Sequence, residues 1–463
     1  MPPKGRAESH PSSFRDPSGF VFISGENIFR QINLSYQEPF DHLMNSGLYQ
    51  QLVSAGLLIP HVEVGSDGST PPGAYKVIQP QKIAFISYPY EWSFHQWQDA
   101  ALVTLQVQQR ALEYGMTLKD ASSFNIQFHN GRPTLIDTLS FELFAEGKPW
   151  IAYRQFCQHF LAPLALMAHV DLRLGRMLEQ HLDGIPLDLA SALLPRRTYA
   201  QVSLLSHIHL QAKVKTYFSR AKKPEKKHFI SRFSHTTLVE SLRQAIRRLQ
   251  PPRRRTEWSG YYSETNYTPA AFARKKEIVD LWLQEIGPRR VLDLGANTGV
   301  FSFLACRKNA FTVAADADAL AVDLLYREMK QQQERNLLPL VIDVTSPTPG
   351  VGWENTERLP FRHRGAFDAV LCLALVHHLA LRQNLSFEQI AKFLRKLSPW
   401  LIVEFIPKED SQAQRLLQLK EDIFPHYTQS NFLAVFQHFF TVHQQLPVGD
   451  SRRTLYLMRG KDP

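Results

Sequence analysis

The chain has 463 residues, 44% hydrophobic and 21% charged, with a formal net charge of +10. That length exceeds one ordinary hydrophobic core, so two or more domains are expected. No apolar run approaches the ~18 residues of a membrane span, and "MPPKGRAESHPSSFRDPSGF" lacks the apolar core of a signal peptide. Cys157, Cys306 and Cys372 lie far apart in apolar segments, which excludes a CxxC metal site and fits a reducing cytoplasm.

In chain order, "GFVFISGENIFRQIN" alternates apolar residues around Gly25-Glu26-Asn27 and predicts a hairpin. Helical spacing follows at "FDHLMNSGLYQQLVSAG" and "QDAALVTLQVQQRALEYG". "SFNIQFHNGRPTLIDTLSF" reads as a strand pair turning at Asn130-Gly131. "WIAYRQFCQHFLAPLALMAHVDLRLGRML" reads as helix broken at Pro163.

The basic charge is concentrated at 211–256, which holds 14 Lys and Arg against two acids. The rest of the chain is slightly acidic. Two readings stand: a solvated helical connector, or a surface for nucleic acid or another acidic partner.

Beyond it, strands read at "RVLDLGA", "FTVAADA", "LPLVIDV", "FDAVLCLAL" and "WLIVEFI", separated by helical patterns at 319–334 and 386–397. These strands are nearly all apolar, as in a parallel sheet covered on both faces. "HFFTVHQQLPV" and "RRTLYLMRG", with "GDS" between them, add an antiparallel hairpin.

In "RVLDLGANTGVFS" the acid Asp293 precedes Gly295, Asn297 and Gly299 at a strand-to-helix turn. A pyrophosphate site needs G-x-G-x-x-G. Here the spacing is G-x-x-x-G, and the acid repels phosphate and suits a cationic ligand. Asn297 tolerates the positive φ that the middle position demands. Asp316 and Asp343 end the next two strands, at the edge where open sheets bind ligands, with Asp318 a competitor of Asp316.

"DLGANTG" resembles motif I of class I S-adenosylmethionine-dependent methyltransferases, with Asn297 replacing a glycine. The resemblance covers about 260 to the C-terminus. It implies a Rossmann-like seven-stranded α/β sheet ending in an antiparallel hairpin. It also implies S-adenosylmethionine as cofactor, Asp316 on the ribose hydroxyls and Asp343 at the adenine amine.

After strand four, "LALVHHLALRQN" offers His377 and His378 as general bases for an oxygen or nitrogen nucleophile, against packing or helix capping. Glu404 in "IVEFIPKED" is a further candidate for base or substrate orientation. "EWSGYYSETNYTPAAFARKK", "PTPGVGWENTER" and "ALVHHLA" resemble methyltransferases related to the nodulation protein of rhizobia. Trp353, Glu357 and Arg358 fall before strand four, where an aromatic beside an Arg–Glu pair suits either a planar or anionic acceptor or plain loop packing.

Asp120, Asn125 and Asp137 in "LKDASSFNIQFHNGRPTLIDTLSFE" resemble the catalytic and metal-binding segments of protein-kinase-like phosphotransferases. That likeness lacks a glycine-rich loop and the usual His before the catalytic Asp, and Arg30 stands nearest the strand-three lysine.

The expected organisation is therefore an α+β, kinase-like N-terminal domain at 14–205, a basic helical connector at 206–258 and a methyltransferase domain at 259–463. The expected protein is cytoplasmic, without a membrane segment or a structural metal. The expected activity is methyl transfer to an acceptor the sequence does not identify. Two alternatives remain: a non-catalytic partner-recognition protein that binds S-adenosylmethionine, and a bifunctional protein with phosphotransfer in its N-terminal half.

Overall fold

A computed structural model describes residues 8–64, 73–213, 230–252, 267–418 and 422–461. Within it the chain divides into two units, Met1–Arg253 with Pro349–Leu359, and Arg254–Thr348 with Pro360–Pro463.

The first unit opens with a five-stranded antiparallel sheet of β1 (Glu8–Ser9), β2 (Gly19–Ser24), β3 (Asn27–Asn33), β4 (His61–Val64) and β5 (Ala74–Pro80). Their order is β1-β2-β3-β5-β4. The expected hairpin is β2–β3; β4 and β5 were hidden in a sequence without clear alternation. Ile32, Tyr36, Phe40, Ile78 and Leu139 form the core beneath this sheet. The first helical run is split by Gly47, at φ 86°, into Gln37–Asn45 and Leu48–Ser54.

The helix Phe94–Glu113 follows, buried along Trp97, Ala101, Leu105, Gln108 and Leu112. Three short strands come next: β6 (Met116–Leu118), β7 (Ile126–His129) and β8 (Arg132–Leu135), with β9 (Phe141–Leu143) pairing back onto β6. β7 and β8 turn at Asn130 and Gly131, both at positive φ, as a two-residue hairpin turn requires. The expected break at Pro163 is instead a π-helical turn, Cys157–Leu161, running straight into the helix Ala162–His169. Pro163 lies inside this continuous run, where it lacks an N–H for the preceding turn, and the Gln158 carbonyl there accepts from Ile185 N at 3.0 Å instead.

The basic connector expected at 206–258 falls partly outside the described residues. Residues 214–229 and 253–258 lie outside the described residues. The helix Arg232–Arg248 belongs to the first unit. Its Arg243 donates to Gln109 and Glu240, and Arg232 lies 5.3 Å from the Phe144 ring. Part of the basic character is thus spent on internal packing.

The second unit carries a seven-stranded sheet. Its strands are β10 (Arg290–Leu294), β11 (Phe311–Asp316), β12 (Leu337–Val341), β13 (Ala369–Cys372), β14 (Trp400–Phe405), β15 (Phe440–Pro447) and β16 (Thr454–Gly460). The order is β12-β11-β10-β13-β14-β16-β15, with the first five parallel and β16 antiparallel to both neighbours. This is the expected methyltransferase-type α/β sheet with its terminal hairpin. Ile278, Val279 and Trp282 of the helix Pro269–Ile286 pack with Val291, Leu371, Ile402 and Leu457 in the core. Among the described residues no helix is long and apolar enough to cross a membrane.

Candidate active site

Parallel order brings the carboxyl ends of β12, β11, β10, β13 and β14 to one edge of the second unit. The turn after β10 is built for close approach. Gly295, Asn297 and Gly299 all have positive φ, at 71°, 51° and 79°. A Cβ on Gly299 would lie 2.3 Å from Leu325 Cδ1, so glycine is required there for space as well as conformation.

Asp293 is 3% exposed and accepts a 2.6 Å hydrogen bond from Ser302 Oγ. Burial pushes its carboxyl up to about 6 against the pull of that hydroxyl. Asp316 closes β11, and its Oδ2 accepts from Asn297 N and its Oδ1 from Asp318 N, each at 2.8 Å. Burial also raises this carboxyl to about 6, although the two amides hold it down.

Asp318 is the N-cap of the helix Ala319–Gln331, accepting from Leu320 N at 2.9 Å and Ala321 N at 3.4 Å. That leaves Asp316 as the acid presented by the strand end. Asp343 lies just past β12 and accepts from Thr345 N at 2.9 Å and Thr345 Oγ1 at 2.6 Å. The sheet therefore brings Asp293, Asp316 and Asp343 to three adjacent strand ends, with Asp316 bonded to the glycine turn.

The neighbouring half of the edge, over β13 and β14, holds Glu404 with charged partners from distant parts of the chain. Glu404 is fully buried and takes Lys275 Nζ at 2.6 Å, Ala374 N at 2.8 Å and the Tyr267 hydroxyl. Lys275 is 2% exposed, and its Nζ also donates to Tyr267 Oη at 2.9 Å. Burial pushes Glu404 up, but Lys275, Arg453 and the hydrogen bonds outweigh it and hold the carboxyl below its ordinary range. Glu404 is an anchor, held by three donors, and not a poised base. It fixes Ala374, which has φ 51°, and the next residue, Leu375, stands 3.4 Å from where a Cβ on Gly295 would lie.

Arg453, 2% exposed, enters at the start of β16, where Thr454 pairs with Phe405 at the end of β14. Its Nε and Nη2 grip Asp410 at 2.8 and 3.1 Å, and its Cζ lies 4.2 Å from the Tyr267 ring centre. His377 is 2% exposed, and its pKa is pushed well down by burial, then by His378, Arg453 and Lys275. His378 is lowered to about 4 by burial and by Arg382. The two rings lie 4.1 Å apart. Both imidazoles are neutral at physiological pH and weak as proton acceptors.

Lys275 was legible in principle. In the helix Pro269–Ile286 it shares a face with Ala271, Ile278, Val279 and Trp282, and a cation on an apolar stripe signals a buried partner. Tyr267, Asp410 and Arg453 had no such signal.

Trp353, Glu357 and Arg358 do not stay with the second unit. The chain leaves it at Thr348 and returns at Pro360, and Phe361 N–H donates to Thr348 O at 3.0 Å. Pro349–Leu359 belongs to the first unit. There Arg15 Nε and Nη2 grip Glu357 at 3.2 and 3.0 Å, Arg358 lies 4.5 Å from the Phe124 ring, and Leu359 N donates to Tyr88 Oη at 2.7 Å. Glu357 and Arg358 anchor the loop, while Trp353 is 67% exposed.

The first unit also brings Asp120, Asn125 and Asp137 together. Asp120 Oδ1 accepts from Ser122 N and Gln155 Nε2, at 2.9 and 2.8 Å, and its pKa is raised by burial and by Asp137. Asn125 Nδ2 donates to Ser140 Oγ at 3.2 Å. Asp137 Oδ1 lies 2.6 Å from Arg30 Nη1 and accepts from Leu139 N, and its Oδ2 accepts from Ser140 Oγ at 2.7 Å. A cation of the chain itself occupies Asp137. Among the described residues no group of three or more His, Cys, Asp or Glu is placed to hold a metal.

No family model matches the chain. It is similar to nodulation protein NoeA of Rhizobium meliloti (strain 1021), 32% identical over 462 residues, 96% of this chain and 94% of that protein. Among solved structures it is similar to the PH0226 protein from Pyrococcus horikoshii OT3, at 19% identity and TM-score 0.32, covering 43% of this chain and 96% of that one. It is also similar to N-methyltransferase NodS from Bradyrhizobium japonicum WM9, at 11% identity and TM-score 0.32, covering 43% of this chain and all of that one.

Proposed function

The chain belongs to the family of the nodulation protein NoeA, and we propose that its second unit is an S-adenosylmethionine-dependent methyltransferase acting on an oxygen or nitrogen nucleophile. The observation that carries this reading is the placement of Asp293, Asp316 and Asp343 at three adjacent strand ends, with Asp316 bonded to the Gly295–Gly299 turn, in a sheet ordered β12-β11-β10-β13-β14-β16-β15.

The residues fit the cofactor chemically. Two carboxyls raised to about 6 by burial gain from a cationic ligand. A glycine turn flanked by acids suits a nucleoside carrying an amino acid better than a pyrophosphate. Asp293 would orient the turn, Asp316 would accept from the ribose hydroxyls and Asp343 would contact the adenine amine. When bound, S-adenosylmethionine supplies an electrophilic methyl group. The chain contributes alignment, through the Glu404–Ala374 anchor, and a dry edge over β13 and β14.

Calorimetric titration tests the reading. S-adenosylmethionine binds the wild type, and Asp293→Ala abolishes binding; a wild type that binds neither S-adenosylmethionine nor S-adenosylhomocysteine refutes it.

We also propose a kinase-like architecture for the first unit, without phosphotransfer. The β1-β2-β3-β5-β4 sheet, the helix Phe94–Glu113 and the Asp120–Asn125–Asp137 grouping support it. A fold-implied magnesium ion does not fit there, because the Arg30 guanidinium already occupies Asp137 Oδ1.

A further inference from the structure

A cleft of about 500 Å³ in the first unit is lined by Ser191, Ala192, Leu194, Arg196 and Tyr199. Three elements meet there: the helix Leu187–Leu193, the 3-10 turn Arg196–Ala200 and a π-helical turn, Leu205–His209. Ser191 is half-buried on the cleft wall, and its Oγ stands 2.8 Å from Nδ1 of the fully buried His209. The proton order follows from the far side of the ring. Thr198 Oγ1 donates to Pro195 O at 2.7 Å, so toward His209 Nε2, 2.9 Å away, it can only accept. Nε2 therefore carries the ring proton, Nδ1 is a lone pair, and the Ser191 hydroxyl donates to it. Burial, then Lys213, push the His209 pKa down, so the ring is neutral at physiological pH. Tyr199 stacks on His209 with ring centres 3.8 Å apart at 14°, and its Oη lies 3.5 Å from Ser191 Oγ.

A hydroxyl, a base, a group orienting the base and a further donor thus stand within reach of one another on an accessible wall. A histidine serving packing alone needs both ring nitrogens satisfied. It does not need one partner to sit on an open cleft beside a phenol and an arginine. We propose that Ser191 is a nucleophile for acyl transfer, with His209 as its general base, acting on a carboxylic ester with a small apolar acyl group. This activity is separate from methyl transfer and does not depend on it. Ala192 and Leu194 give the acyl group an apolar wall, and the Tyr199 O–H and Arg196 are donors for the carbonyl oxygen as it becomes an oxyanion.

In the first step Ser191 Oγ bonds to the carbonyl carbon and its proton passes to His209 Nδ1. The C–O bond to the alcohol then breaks, and the alcohol leaves with that proton. Water bonds to the same carbon and gives a proton to Nδ1. The acyl–Oγ bond breaks, and that proton returns to Ser191. Ester and water become acid and alcohol, with no change of oxidation state. Thr198 is a positioning residue, placed where a Ser-His-Asp triad has a carboxylate. A neutral orienter and a lowered pKa make the base weak, so turnover is slow.

Full-length protein is incubated with an alkyl fluorophosphonate, which phosphonylates a base-activated serine with loss of fluoride, and the adduct is located by peptide mapping. One adduct on Ser191 is expected, absent in Ser191→Ala. Hydrolysis of p-nitrophenyl acetate is followed in parallel, as the rate above that of Ser191→Ala. It rises with pH through a midpoint below the ordinary imidazole value of 6.5. Tyr199→Phe, which keeps the ring stack but loses the O–H, lowers the rate about 100-fold. Thr198→Val lowers the rate and moves the midpoint further down, because the imidazolium loses its acceptor, and Thr198→Ser restores both. No adduct, an adduct elsewhere with Ser191 unmodified, or equal ester hydrolysis by wild type and Ser191→Ala overturns the proposal. So does a labelled Ser191 whose Tyr199→Phe and Thr198→Val variants melt like the wild type and react as fast, since that is merely an accessible hydroxyl.

Discussion

Glu404→Gln is the sharpest perturbation of the active-site edge. The substitution keeps the shape and the oxygen that accepts from Ala374 N, but removes the negative charge. Lys275, with 3% of its side chain exposed, then has its ammonium buried without the counter-ion that stood 2.6 Å away. Breaking one side of a buried pair costs about 3–5 kcal/mol, because the remaining charge keeps its desolvation penalty. For a unit of roughly 200 residues, where 1 kcal/mol moves the midpoint by about 2–4 °C, the expected fall in melting temperature is roughly 6–20 °C.

Lys275→Met leaves Glu404 in the same position, and the two single losses should be similar. The double variant Lys275→Met/Glu404→Gln removes both charges, and it is expected to return to within about 2 kcal/mol of the wild type, since neutral replacements of buried pairs are well tolerated. Differential scanning calorimetry follows all four proteins, and the relevant transition is the one that saturating S-adenosylhomocysteine moves upward. A single-variant shift below about 3 °C, or a double variant no better than the worse single, refutes the assignment of a buried, ionised pair.

Three further outcomes follow from the same geometry. Gly299→Ala forces a Cβ to within 2.3 Å of Leu325 Cδ1 at φ 79°; it should weaken S-adenosylhomocysteine binding at least tenfold by calorimetry, and Leu325→Ala should restore only the steric part. Asp293 and Asp316 titrate near 6 in the folded chain, above their unfolded value of about 4, so each adds stability that is full below pH 4 and gone above pH 6, about 3 kcal/mol per group. A cationic ligand prefers the ionised acids, so affinity should rise from pH 5 to pH 7.5 and Asp293→Asn should flatten the rise; a pH-independent affinity in the wild type contradicts it. In the first unit, ATP with magnesium should leave the melting temperature unchanged, because Arg30 holds Asp137 Oδ1; a clear upward shift that Asp137→Asn removes would falsify that assignment.

The alternating strands, the glycine turn and the terminal hairpin were legible because each depends on local spacing. Apolar runs between turn residues give β10 to β14, and Asn130-Gly131 gives the β7–β8 turn at positive φ. Asp293, Asp316 and Asp343 were legible for the same reason, as strand ends are visible in sequence. What escaped depends on partners far apart in the chain. Glu404 read as a possible base because nothing near it reveals Lys275, 129 residues earlier. Glu357 and Arg358 read as either an acceptor mouth or loop packing because the loop lies between two strands of the sheet; what decides for packing is their partners Arg15 and Phe124, in the first unit.

Two ion pairs between distant residues, Lys275–Glu404 and Arg453–Asp410, bear on one question, whether this edge contains a base. Lys275 neutralises Glu404 as a proton acceptor, and burial, then His378, Arg453 and Lys275, suppress protonation of His377. Asp410 in turn balances Arg453 without covering Nη1. A site evolved around deprotonation would place an acid or imidazole near its ordinary pKa, free of such partners. This edge instead fixes its acids with cations and leaves a guanidinium N–H and an imidazole nitrogen unmatched. That arrangement favours packing for the two histidines and an orienting role for Glu404, the readings that the sequence offered beside general-base catalysis.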